Sequence, residues 1–266
     1  MVRRINRHCS RAGVTELRWL SDLYKSATQL MATLPETDHF GPRPMGRYIG
    51  PLFSTELGPV VRWPESSTEC TTRRVFLYLQ PDRANLALLN ALKRLGAQVI
   101  AVLPGLQASA AERLSDDRVQ LYAHPVMLAG LLEQADFTIT NAGHGLIAAS
   151  LLAGTPLLLI PRNVEQVMLA KRIHLTGAAH VVPLDHVATR AREAIESLVN
   201  DAGAREAANT LARKYARCTQ GSVIAQVVDA VETTFSNQQH LPKFRTANDP
   251  GSDTMSKPNK LHQVRV

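Results

Sequence analysis

The feature that most constrains the fold is an alternation of short apolar runs with segments of helical periodicity between residues 74 and 235. Residues 75–79 form a continuous apolar run, which is typical of a strand buried on both faces of a sheet. Helical spacing follows and ends at Gly96, a residue suited to a helix C-cap. Further strands are predicted at 99–103, 119–122, 137–140, 157–160 and 180–182. This alternation predicts an α/β fold with a doubly wound parallel sheet.

Helices are predicted by apolar positions at a spacing of three and four residues. Within and after the sheet region they cover 84–95, 126–134, 146–153, 164–175, 187–200, 204–218 and 222–235. Before it, residues 14–34 place one apolar stripe on a predicted amphipathic helix, formed by Leu17, Leu20, Leu23, Tyr24, Ala27, Leu30 and Leu34. Residues 35–73 begin with a stretch rich in proline and glycine, which predicts a linker without regular structure. Residues 236–266 have almost no apolar periodicity and are predicted to be disordered.

The formal charge of +7 is confined to the two ends of the chain. Residues 1–11 carry four arginines and no acid, whereas residues 12–235 hold 21 basic and 21 acidic residues. A neutral body offers no basic stripe to a phosphate backbone, so nucleic acid is not expected as a partner. Two short basic ends with few apolar anchors would support at most peripheral membrane contact.

Cysteine usage and hydropathy bound the remaining classes. Cys9, Cys70 and Cys218 are odd in number and lack metal-ligand spacing, so no disulfide framework and no metal site are expected. No apolar run reaches the roughly 18 residues of a transmembrane helix, and no apolar signal segment follows the arginine-rich start. A cytoplasmic location is therefore expected.

Ligands of open parallel sheets bind beyond the carboxyl ends of the strands. Between the strand at 137–140 and the next helix lie Asn141, Gly143, His144 and Gly145. Glycines let the backbone approach a ligand, and the free N–H groups of the following helix favour a phosphate. The same glycines are also compatible with a simple tight turn between strand and helix.

Two further loops reach the same edge of the predicted sheet. Glu165 and Gln166 open the helix after the strand at 157–160, and together they could bind the hydroxyls of a sugar. Glu165 is equally compatible with an ordinary first-turn helix acid. The loop at His124, Pro125 and Val126 follows another strand and could cover a base.

Residues 124–177 carry a resemblance to a known family. The order of signals is a Pro after a strand, the Asn-Ala-Gly-His-Gly turn at 141–145, Leu-Ala-Gly-Thr-Pro at 152–156, then Pro161 and Glu-Gln at 165–166. This order resembles the nucleotide-sugar-binding half of family 1 glycosyltransferases, GT-B enzymes that include macrolide and UDP-glucuronosyl transferases. The similarity extends over residues 75–235. Residues 38–51 also resemble the segment that joins the two domains in that family.

The resemblance implies a Rossmann-like donor domain that takes a hexose from UDP or another nucleoside diphosphate, with inversion and with neither metal nor cofactor. Asn141, Gly143, His144 and Gly145 would face the diphosphate, and Glu165 with Gln166 would face the hexose. The loop at residues 124–126 would lie on the base and ribose side.

Three positions depart from the family pattern. Asn141 stands where the family often has His, Leu146 where it has Ser or Thr, and Ala149 where it has Glu. Each lost contact would weaken donor binding by roughly 1 to 3 kcal/mol if it were buried in the complex.

The resemblance also implies an N-terminal domain that is largely absent. Residues 1–34 would be a basic tail and a remnant helix of that domain, 35–73 the linker, 74–235 the nucleotide-sugar-binding domain and 236–266 the tail. Neither His8 nor His39 is expected to be the catalytic base, so the catalytic residues stay unknown. An acceptor-domain protein or self-association is an expected partner.

Three alternatives remain open at this point. The first is a non-catalytic nucleotide-sugar-binding subunit of a split GT-B transferase. The second is a truncated, inactive enzyme, and the third is a GT-B epimerase acting on UDP-sugars, which needs carboxylates at both domain faces.

Overall fold

The computed structural model describes residues 1–25, 27–64 and 73–238. Its strands are β1 (Arg74–Tyr78), β2 (Gln98–Val102), β3 (Val119–Tyr122), β4 (Phe137–Thr140), β5 (Leu157–Leu159) and β6 (Ala179–Val181). They form one sheet in the order β3-β2-β1-β4-β5-β6, and every neighbouring pair is parallel. The strand order reverses between β1 and β4, which confirms the predicted doubly wound α/β fold.

The α-helices of the described residues are α1 (Val2–Arg11), α2 (Arg83–Arg94), α3 (Ala108–Leu114), α4 (His144–Leu152), α5 (Val164–Leu175), α6 (Val187–Val199), α7 (Ala202–Lys214) and α8 (Gln220–Gln238). The predicted helices that correspond to α2 and to α4 through α8 are confirmed to within a few residues. Helix α3 was not predicted. Side-chain caps begin three of them, because Asp82, Asn163 and Asp201 each accept a hydrogen bond from the first helical turn.

The helix predicted over residues 126–134 is wrong. Only Leu132–Gln134 form a short 3₁₀ helix there. The backbone amides of Met127 and Leu128 donate instead to the carbonyls of Pro59 and Thr55, at 3.0 and 2.7 Å. The preceding segment therefore competes for the backbone groups that a helix would have used.

The core lies on both faces of the sheet, because successive side chains of a strand point to opposite sides. Val75 and Leu77 of β1 pack with α2 and α6, whereas Phe76 between them packs on the other face with Leu131 and Trp63. A further cluster joins β5 to α4, α5 and α7. Strands buried on both faces explain why their sequence signal was continuous rather than alternating.

The helix predicted over residues 14–34 is also wrong. The segment holds a short 3₁₀ helix at Leu20–Tyr24, and Met31 forms a parallel bridge to Tyr48. The backbone at Leu17 exchanges two hydrogen bonds with the side chain of Asn6 in α1, at 2.8 and 2.9 Å. These contacts replace the amphipathic helix, so the predicted stripe of leucines does not exist as one surface.

Residues 31–64 lack long regular elements, as predicted, but they pack against the sheet domain. Leu34, Ile49 and Trp63 are buried there. The predicted disordered tail lies outside the described residues except for 236–238, which end α8. Within the described ranges, no helix has the length and apolar content needed to cross a bilayer.

Candidate functional site

The candidate site lies beyond the carboxyl ends of β1, β4 and β5, where Asn141 holds three loops together. Its Oδ1 accepts from the backbone N–H of Gln80 at 3.1 Å, and its Nδ2 donates to the carbonyl of Ile160 at 2.9 Å. The side chain is buried. Asn141 thus supports the floor of the site with its side chain, whereas the sequence had suggested a contact to diphosphate.

The turn from β4 into α4 presents free backbone N–H groups. Ala142 adopts the left-handed conformation with φ of 61° and is buried, whereas Gly143 has an ordinary φ of −69°. A Cβ added at Gly143 would meet no atom within 4 Å. The first amides of a helix have no intrahelical acceptor, so the N-terminus of α4 faces open space that an anion can enter.

A cavity of about 320 Å³ opens beside this helix N-terminus. Its lining includes Gly143, His144, Gly145 and Leu146, together with Tyr78 from β1. Pro125 and Val126 of the loop after β3 also line it, as the sequence predicted for this loop, whereas His124 does not. The cavity therefore joins two of the three predicted loops.

Residues 53–60 close the other side of this cavity. Phe53, Ser54 and Leu57 line it. Gly58 lies so close to the neighbouring loop that an added Cβ would be 2.2 Å from the carbonyl oxygen of Pro125, and its φ of +94° suits only glycine. This wall was missed by the sequence analysis, because nothing in the local pattern of residues 53–60 indicates which loop they contact.

His144, the first residue of α4, is half-buried and hydrogen-bonded to the preceding segment. Its Nε2 lies 2.6 Å from the Oγ1 of Thr33, which in turn lies 2.8 Å from the Oγ1 of Thr37. Burial lowers the pKa of His144, the nearby charge of His39 lowers it further, and Glu165 opposes both effects. His144 is therefore a neutral imidazole at neutral pH.

The start of α5 carries the predicted acid and amide. Asn163 caps the helix by accepting from the backbone N–H of Gln166 at 2.9 Å, and the Oε1 of Gln166 accepts from the N–H of Arg162 at 2.8 Å. The side chain of Glu165 is 70% exposed, and its Oε1 lies 3.9 Å from the Nε2 of His39. Glu165 is thus available to a ligand, while the oxygen of Gln166 is engaged in the turn.

An ion pair not anticipated from the sequence joins Arg162 to Asp82, the N-cap of α2. It links the loops after β5 and β1 at the same edge of the sheet. Two departures from the family pattern are also visible. Leu146 lines the cavity as an apolar group, and Ala149 is buried in the cluster with Phe76 and Trp63.

Comparison with solved structures gives the same architecture. CalG4, the calicheamicin glycosyltransferase, superposes with a TM-score of 0.66 at 20% identity, covering 88% of this chain and 60% of that protein. The glycosyltransferase of kitacinnamycin gives 0.65 at 20% identity, covering 87% of this chain and 61% of that protein. Spinosyn rhamnosyltransferase SpnG, solved with thymidine diphosphate, gives 0.59 at 18% identity, covering 73% of this chain and 55% of that protein. The chain thus spans little more than half the length of these structural relatives.

Sequence comparison points in the same direction. UDP-sugar-dependent glycosyltransferase 52 of Dictyostelium discoideum is 30% identical over 105 residues, which are 39% of this chain and 6% of that protein. The family described as the C-terminal domain of erythromycin biosynthesis protein CIII-like proteins matches residues 86–231. Because this match covers more than half of the 266 residues, the chain belongs to the EryCIII-like C-terminal domain family, the C-terminal half of a GT-B glycosyltransferase fold.

Proposed function

We propose that this chain is the donor-binding half of a glycosyltransferase that takes a hexose from a nucleoside diphosphate sugar. The observation that carries the proposal is the open N-terminus of α4 at Gly143, beside an apolar cavity of about 320 Å³ and close to the free carboxylate of Glu165. A helix N-terminus suits the diphosphate, an apolar cavity suits the base, and a carboxylate suits sugar hydroxyls.

In the proposed reaction, an acceptor hydroxyl oxygen attacks the anomeric carbon from the face opposite the leaving group. A C–O bond to the acceptor forms, the bond to the diphosphate oxygen breaks, and the acceptor proton passes to a base. The leaving nucleoside diphosphate gains negative charge as that bond breaks. The amides of α4 stabilise this charge, which is how this half would lower the barrier without a metal.

The nucleotide is the least constrained part of the donor. Ala149 has no carboxylate for a ribose hydroxyl, which favours a nucleotide without the 2′-hydroxyl. SpnG has been solved with thymidine diphosphate and VinC with DTDP, which supports the use of TDP-sugars beside UDP-sugars as probes.

Calorimetric titration with UDP, TDP and GDP sugars at up to millimolar concentration tests the proposal. We expect measurable binding of at least one sugar nucleotide and a higher melting temperature in its presence. A chain that is folded by circular dichroism, yet gives no heat and no thermal shift with any of these ligands, would disprove the donor site.

We also propose that transfer requires an acceptor-binding domain that packs on an apolar stripe of α8, whether the same or another polypeptide supplies it. Ile224, Val228, Val231 and Phe235 lie at a spacing of four, three and four residues, which puts them on one helix face, and they are 48% to 65% exposed. The structural relatives are longer than this chain by a portion large enough for a domain, since the chain covers 60% of CalG4.

Sedimentation velocity of this chain over a range of concentrations tests the stripe. Without an acceptor domain, we expect the exposed side chains to drive self-association that a variant with Val228→Ser and Val231→Ser loses. The matched control is Thr233→Ser on the same helix, which leaves the stripe intact. A monomer at every concentration, or association unchanged in the variant, would contradict this surface.

A further inference from the structure

The segment that precedes the sheet domain places a histidine at the sugar end of the candidate site. His39 follows Thr37 and Asp38, which are both buried. Asp38 accepts hydrogen bonds from the hydroxyl of Tyr48 at 2.9 Å and from the backbone N–H of Phe40 at 3.0 Å, and Arg43 pairs with it at 3.0 Å. These contacts fix the backbone on both sides of His39.

The imidazole of His39 has only one nitrogen available to a ligand. Its Nδ1 is buried and makes no hydrogen bond with any described residue. Its Nε2 lies 3.9 Å from the Oε1 of Glu165, and the side chain as a whole is 28% exposed. With one nitrogen buried and the other beside a carboxylate, the ring presents a single polar atom to the site.

The separation of these two atoms is too long for a direct hydrogen bond and short enough for a bridging group. Hydrogen bonds between nitrogen or oxygen atoms span about 2.7 to 3.2 Å. A hydroxyl oxygen about 2.8 Å from each atom fits a gap of 3.9 Å, with an angle near 90° at the oxygen. Such a hydroxyl would accept from the Nε2 of His39 and donate to the carboxylate of Glu165, which gives both groups a partner.

We propose that His39 is a hexose-binding residue, which with Glu165 holds one hydroxyl of the donor sugar. The inference rests on the proposed function, because it names a further residue of the same donor site. It also gives the segment before the sheet domain a part in donor recognition. A nucleoside diphosphate without a sugar would not meet His39.

The test compares the affinities of UDP and UDP-glucose, with TDP and TDP-glucose as a second pair, for wild type and His39→Ala. We expect the variant to lose about 3- to 10-fold in affinity for the sugar nucleotide, as for one hydrogen bond, with less than about a 2-fold change for the free diphosphate. His39→Gln retains a donor and should recover part of the loss. His186→Ala, at the start of α6 and outside the site, is the matched control.

A double-mutant cycle with Glu165→Ala separates a shared ligand from a structural effect. If both residues hold one hydroxyl, His39→Ala should lower the affinity for UDP-glucose less in the Glu165→Ala background than in wild type. A general loosening of the site would instead weaken UDP and UDP-glucose equally, and that result would overturn the inference.

The remaining outcomes are distinct from one another. Wild-type chain that binds none of the four ligands would disprove the proposed function together with the inference. Wild type that binds UDP-glucose more tightly than UDP, with the same preference in His39→Ala, would remove His39 alone. Equal affinity of wild type for both ligands would also overturn a hydroxyl contact by this pair.

Discussion

The two ends of the candidate donor site are built in different ways. At the diphosphate end, the groups offered to the ligand are backbone amides of one turn, between β4 and the start of α4, and Asn141 holds that turn to two other loops. At the sugar end, they are side chains from two segments, Glu165 on α5 and His39 on residues that precede the sheet. The first end is a consequence of the sheet itself. The second depends on how well the preceding segment stays packed against the domain.

The largest effect should come from blocking the backbone end with Gly143→Val. Because φ at this position is −69° and the space around it is open, valine fits the folded chain, and its weaker N-capping lowers stability by at most about 1 kcal/mol. Its side chain occupies the space where the diphosphate would approach. We expect an affinity loss of about 100-fold, or about 2.8 kcal/mol, for UDP and UDP-glucose alike, measured by calorimetry. Gly143→Ala is the control and should lose less, and an unchanged affinity for UDP would contradict the assignment of this end.

Asn141→Ala should act on stability rather than on the choice of ligand. The variant leaves the N–H of Gln80 and the carbonyl of Ile160 without their partner, at a buried position. We expect the free energy of unfolding in urea to fall by about 2 kcal/mol. The affinities for UDP and UDP-glucose should fall by the same factor as each other. Normal stability combined with loss of UDP binding would show that the side chain contacts the diphosphate after all.

Glu165→Ala should separate the two ends most clearly. The carboxylate is mostly exposed and faces the sugar side, so its removal should leave stability within about 0.5 kcal/mol of wild type. We expect about a 10-fold loss of affinity for UDP-glucose and little change for UDP, as for a hydrogen bond to a charged group. Glu193→Ala on the exposed face of α6 is the control. An equal loss for both ligands would mean that Glu165 does not belong to a separate sugar end.

The sheet could be predicted because each of its strands is a local pattern. Residues 75–79 and 99–103 are continuously apolar, and burial on both faces demands that pattern whatever the rest of the chain does. The helix predicted over 126–134 failed for the opposite reason. Its backbone amides bind Thr55 and Pro59, residues about 70 positions earlier, and no local periodicity contains that information.

The site divides in the same way. The positions of Gly143 and Glu165 followed from the rule that ligands meet the carboxyl ends of strands. The unusual backbone angle nevertheless falls on Ala142 and not on a glycine, because the residue that needs a left-handed turn is decided by the path into α4. His39 could not be placed from the sequence, since its contact with Glu165 exists only once the preceding segment packs against α5.

The smallest effect concerns His144, where the preceding segment meets the backbone end through Thr33. Burial, reinforced by His39, lowers the pKa of His144 below its ordinary value of 6.5, while Glu165 acts in the opposite direction. Between these two pKa values the unfolded chain binds more protons than the folded one, so stability rises with pH through that window. The contribution of a neutral His144 is therefore complete above about pH 6.5 and is lost as the pH falls toward the lower, folded-state value. Urea unfolding at pH 5, 6, 7 and 8 should show this dependence in wild type and a flatter one in His144→Gln, with His186→Gln retaining the wild-type slope. Identical slopes in wild type and His144→Gln would mean that His144 does not carry the effect, and that the contact with Thr33 places no penalty on protonation.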